Sequence, residues 1–119
     1  MSEATILDVR VIALWRDDRT ECPLTIDLRI DAASRRVVSS WDCFGVCDLA
    51  GENCRPFVLR RDGRIDFGAG ARERWRTDLR EAIMRVGERF MVHWNECDAG
   101  SYEIVKVAEL GAKSGTGDP

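Results

Sequence analysis

Residues 71–86 read ARERWRTDLREAIMRV, and the spacing of their apolar members decides which fold the chain is expected to take. Trp75, Leu79, Ala82, Ile83 and Val86 recur at intervals that place them in one stripe along an α-helix. Glu81 and Arg85 stand four apart in the favourable order on the other side. Gly87 follows as a residue suited to the left-handed conformation that ends helices. Read this way, the stretch predicts one amphipathic helix over about 71–86.

On both sides of this stretch the period drops to two. Over Ile6 to Trp15, the apolar Leu7, Val9, Val11, Ala13 and Trp15 alternate with other residues, Asp8 and Arg10 among them. Residues 11–15 are apolar on both faces, as in a strand covered on two sides. After Pro23, Leu24, Ile26, Leu28 and Ile30 alternate with Thr25, Asp27, Arg29 and Asp31, one face for the core and one for water. A third strand is predicted over Arg35 to Phe44, completing a meander, and 45–55 (GVCDLAGENCR) reads as loop or a short helical turn. A hairpin follows, and its register can be argued. A two-residue Asp62-Gly63 loop would set Arg61 against Arg64 and Leu59 against Asp66. A three-residue loop, 61–63, puts Phe57, Leu59, Ile65 and Phe67 on one face, with Gly63 left-handed at a bulge. Beyond Gly87, Phe90–Cys97 and Ser101–Leu110 form a last hairpin around Asp98-Ala99-Gly100.

The expected fold is therefore α+β: an antiparallel sheet of about six or seven strands (meander, hairpin, C-terminal hairpin) with the 71–86 helix packed on one face. Residues 1–110 make one globular domain, and 111–119 (GAKSGTGDP) read as a disordered C-terminal tail.

Composition narrows the classes of function. No run approaches the 18 apolar residues of a membrane span, and Met1-Ser2-Glu3 lacks the basic start of a signal peptide. A cytoplasmic protein, bacterial from its 16 Arg against 2 Lys, is expected. Five cysteines, an odd number, are then expected to be reduced. Residues 55–89 hold ten Arg against six acids, while the rest holds eight bases against fifteen acids. The sequence pI of about 5.2 and the acids interleaved with the 72–89 arginines speak against a nucleic-acid partner.

Two functional readings remain. Trp15, Trp41, Trp75 and Trp94 are many for a chain of 119 residues, and Trp with Arg dominates contact hot spots. The first reading is a non-enzymatic binding or interaction domain, a homodimer, that engages a small molecule or protein partner. Its surface would include Trp41, Arg55, Arg60, Arg61 and Arg64, with no cofactor and no metal. The second is a small enzyme with a thiol or metal pocket around Cys43, Cys47, Cys54 and His93. That reading lacks the Cys-x2-Cys knuckle of structural zinc sites. It also lacks a base placed to activate a thiol. Paired acids and the Gly68-Ala69-Gly70 stretch match no catalytic or phosphate-binding signature.

Overall fold

The computed structural model describes residues 5–20, 23–39, 41–49, 53–71, 74–94 and 98–110, without the side chains at 48, 49, 53 and 54. Cys22, Cys97 and the tail predicted over 111–119 lie outside these residues. Eight strands follow one another around a closed antiparallel barrel. They are β1 (Ile6–Trp15), β2 (Leu24–Asp31), β3 (Cys43–Leu49), β4 (Asn53–Leu59), β5 (Arg64–Asp66), β6 (Trp75–Thr77), β7 (Arg89–Trp94) and β8 (Asp98–Glu109). Each pairs with the next, and β8 returns to pair with β1.

The α+β expectation is overturned. Within 71–86 the described residues form β6 and one 3-10 turn, Leu79–Glu81, in place of a helix. The reason is visible in the side chains. Trp75, Thr77 and Leu79 are also spaced by two, so the stretch satisfies a strand template as well as a helical one. Thr77 Oγ1 donates to the Met91 carbonyl at 2.7 Å, and Asp78 Oδ1 accepts the Met91 N–H at 2.8 Å. Short polar side chains of this kind bond backbone groups that a helix would otherwise use. Met84, off the predicted stripe, is fully buried, while Val86, on it, is exposed. Gly87 is left-handed as predicted, but in a turn that Glu88 N–H closes on the Arg85 carbonyl at 3.0 Å.

Two further boundaries move. The third strand is predicted over Arg35–Phe44, but the described residues of that segment before Cys43 make only single bridges, Ile30 with Val37 and Arg36 with Ile83. The strand instead begins at Cys43, and the stretch 45–55, predicted as loop or a short helical turn, lies largely in the β3–β4 hairpin. Its inward positions are Cys43, Gly45 and Cys47, too small to look like a strand face in sequence. The β4–β5 hairpin has the three-residue loop argued above. Leu59 pairs with Ile65, and Gly63 has φ +94°.

Closure follows from β1. Its inward Val9, Val11 and Ala13 are buried, and it finds ladder partners on both edges, β2 and β8. A shift between Ile12 and Ala13 in the β8 register leaves Val105 as an extra residue, so Ile104 and Val107 both keep to the inside. One end of the barrel is filled by Trp15, Trp75, Trp94 and Phe67, packed edge to face with ring centroids 4.9 to 6.2 Å apart. At the other end, the described residues of 32–39 and 41–42 lie against 79–88. Arginines fasten these segments: Arg80 donates to the carbonyls of Ser39, Trp41, Leu59 and Arg60, and Arg36 to that of Glu81.

Candidate functional site

Among the described residues, the inward side chains at the middle of the barrel leave too little room for a ligand. Between the inward side chains of Val11, Leu24, Ile26, Phe57, Leu59 and Phe90 the void measures about 10 Å³. That is at the lower limit for a single water, and its apolar walls offer water little to bond. The described surface that could recognise something is on the outside.

It is built where β2 loses its neighbour. Only Leu24, Thr25 and Ile26 of β2 pair with β3. Further along, residues 37–39 take over that edge: Val38 N–H donates to the Arg29 carbonyl at 2.8 Å, and Ser39 Oγ accepts the Arg29 N–H at 2.9 Å. The chain then turns back toward Cys43. It leaves Trp41 on the outer surface, its carbonyl held by Arg80 at 2.7 Å. The Arg29 guanidinium sits 5.1 Å from the centre of the indole ring, a cation–π distance.

Around this indole the apolar surface is concentrated. Five large hydrophobic side chains stand exposed among the described residues, and four of them, Ile6, Val38, Trp41 and Phe44, belong to this face. Trp41 is 52% exposed and Phe44 69%. Two adjoining open depressions, about 430 and 410 Å³, share Asp8, Arg29 and Trp41; Leu110 lines the second. Soluble chains seldom leave so many of their exposed large side chains in one place without a use for them.

The charges on this face are already paired. Arg29 Nε donates to Asp8 Oδ1 at 2.8 Å, and one step along the sheet Arg10 bonds both Asp27 oxygens at 2.8 and 3.0 Å. Beyond Trp41, Arg60 Nη1 reaches Asp42 at 2.8 Å. The hydrogen bonds that Arg29 and Arg10 donate to Asp8 and Asp27 raise the pKa of both arginines above the ordinary value, so both remain cations at any working pH. Three Asp and three Arg thus surround the apolar centre and cancel.

The residues singled out from sequence divide as follows. Trp41 is at the centre of the face. Arg60 is at its edge, pairing with Asp66 as well as with Asp42. Arg61 and Arg64 are exposed at the β4–β5 hairpin, with Arg64 bound to Asp62 at 2.9 Å. Arg55 is near the start of β4, toward the aromatic end, with its guanidinium 4.4 Å from the Phe67 ring. The five do not form one surface.

Nor are the four residues of the thiol reading drawn together where they are described. Cys43 and Cys47 point inward and are buried on β3. His93 is exposed on β7, four strands away around an eight-stranded barrel, hence on its far side. The Cys54 side chain lies outside the described ones. Among the described residues no group of three or more His, Cys, Asp or Glu is placed to hold a metal.

Ile6, Val38, Phe44, Arg29 and Asp8 went unnoticed in the sequence as members of a site. Asp8 and Arg29 belong to water-facing alternations on two strands, and nothing short of the β1–β2 register puts them opposite each other. Among the described residues no helix is long and apolar enough to cross a membrane. No protein family, curated protein or solved structure matches the chain.

Proposed function

We propose that this protein is a non-enzymatic interaction module that engages another protein through the outer face centred on Trp41. The observation that carries this reading is the gathering of Ile6, Val38, Trp41 and Phe44, four of the five exposed large hydrophobics among the described residues, beside paired charges. An indole stacked with a guanidinium and lining two open depressions makes a good anchor: large, rigid and amphipathic. The closely packed interior favours a macromolecular partner over a ligand enclosed in the barrel. The shallow outer depressions favour a broad contact over a small molecule, which is usually held by a concave site that buries most of its surface.

A photo-crosslinking amino acid placed at Phe44 tests the reading in the cells that make the protein. Val86 serves as the control, since it is equally apolar and 60% exposed but belongs to neither depression. Discrete crosslinked species from Phe44, absent from Val86 and lost on Trp41→Ala, are expected. Equal crosslinking from both positions, or none from Phe44, rules the surface out.

A further inference from the structure

We infer that the partner on the Trp41 face is a second copy of this chain, docked across a two-fold axis. This rests on the reading of that face as a contact surface. Three features of the molecule lead to it.

First, the closed barrel removes the commonest route by which β proteins meet. With β8 bonded to β1, neither of these two strands, the outermost of an open sheet of this order, keeps a free edge along Val9–Ala13 by which to extend the sheet into a neighbour. A face is then the broader surface open to a second copy, and the exposed large apolar side chains among the described residues concentrate on one. Second, the charge on that face favours neither an acidic nor a basic partner. Asp8, Asp27 and Asp42 are balanced by Arg10, Arg29 and Arg60, each already in an ion pair with one of them. Such a surface would leave several charges of a strongly charged partner unanswered.

Third, the signs alternate in two dimensions. Along β1 an acid (Asp8) is followed two residues on by a base (Arg10), and across on β2 the order is reversed, Arg29 facing Asp8 and Asp27 facing Arg10. A checkerboard of this kind is complementary to its own image. Under a two-fold axis the Asp8–Arg29 pair of one copy can lie antiparallel to the same pair of the other, making a four-charge ring of alternating sign. The indole of Trp41 then lies beside that ring and against the apolar surface of its mate. Isologous contacts of this sort, in which one patch meets itself, are the usual way that homodimers close.

The experiment exploits the ring. Asp8→Arg makes the row doubly positive and Arg29→Asp makes it doubly negative. Both side chains are about half exposed, so both variants are expected to keep the barrel, which amide exchange verifies. In sedimentation over a concentration series the wild type is expected to dimerise. Each single variant should weaken association at least about tenfold by setting like charges against each other. An equimolar mixture of the two variants is expected to recover association as a heterodimer, because only unlike rows then meet. Trp41→Ala should be monomeric over the same range.

Three results would overturn the inference: a wild type that stays monomeric throughout, single variants that associate as the wild type does, or a mixture that fails to recover. The first of these together with Phe44 crosslinks to a different polypeptide would sink the second copy and leave the contact surface standing. Absence of Phe44 crosslinks would remove both.

Discussion

Gly45 and Gly100 show what the barrel asks of single residues. Both occupy inward positions where large aromatics from neighbouring strands need the space. A Cβ at Gly45 would lie 2.6 Å from the Phe57 ring and 2.7 Å from the backbone oxygen of Thr25; one at Gly100 would lie 2.3 Å from Trp94 and 2.7 Å from Trp15. The Thr25 carbonyl belongs to the β2 backbone and cannot swing aside. Gly45→Ala is therefore expected to cost about 2 kcal/mol, read from the urea midpoint, as overpacked cores do. Gly100→Ala pushes against indole rings, so its signature is a red-shifted tryptophan emission with a lowered midpoint. An unchanged spectrum would mean that the two rings are not packed over that glycine. Asp66 shows the same economy with charge. Its carboxylate accepts the Gly68 N–H at 2.8 Å and is bonded by Arg60, and these, in that order, lower its pKa below the ordinary 3.8. A depressed carboxylate stabilises the fold fully above its unfolded value and loses that contribution as the pH falls through the folded one. The melting temperature of Asp66→Asn should thus lie below wild type at neutral pH and converge with it below about pH 4. Parallel curves down to pH 2 would show that the ion pair contributes nothing.

At the scale of elements, the strands with a strong alternation could be read directly. β1 and β2 stand where their apolar residues placed them, and the β4–β5 register follows from keeping Phe57, Leu59 and Ile65 on one face. What could not be read is the identity of strands whose inward residues are small or few. β3 hides behind Cys43, Gly45 and Cys47, and β6 is three residues within a stretch that fits a helix equally well. Local periodicity was ambiguous there, and pairing with β5 and β7 decided the outcome. The same blindness affected the arginines. The excess of arginine over 55–89 does not show which of them are structural; Arg80 is a clamp between segments distant in sequence. Its fork donates to the carbonyls of Arg60, Ser39, Trp41 and Leu59 at 2.7 to 3.1 Å. A lysine carries its three donors on one atom and cannot reach in those directions together. Arg80→Lys is expected to lose about 2 kcal/mol through carbonyls left unpaired. It should also loosen residues 37–41, seen as faster amide exchange at Val38. Wild-type exchange at Val38 in that variant would remove Arg80 from the positioning of Trp41.

For the whole molecule, the decisive contact joins the two most distant strands of the chain. β1 and β8 pair over Val9 to Trp15, yet no local signal in either names the other as partner. A chain read from its N-terminus therefore looks like an open sheet in need of a helix to cover it. Closing the sheet on itself supplies that cover, because each inward face becomes the lid of the one opposite. Closure also has a consequence that an open sheet cannot imitate. Successive amides along a strand point to alternate neighbours, so an edge strand protects one parity from exchange and leaves the other bare. In β1 the amides of both parities have ladder partners, one set on β2 and the other on β8. Residues Val9 to Leu14 are thus expected to exchange slowly without alternation, at rates like those of the central β2 amides. Because folding must bring the chain ends together before this ladder forms, refolding after dilution from urea should be slow for a chain of this size. It should also restore protection of β1 and β8 at the same time. Fast exchange at every second residue of β1 would show an open edge there, by which a second copy could add strand to strand instead of meeting the Trp41 face.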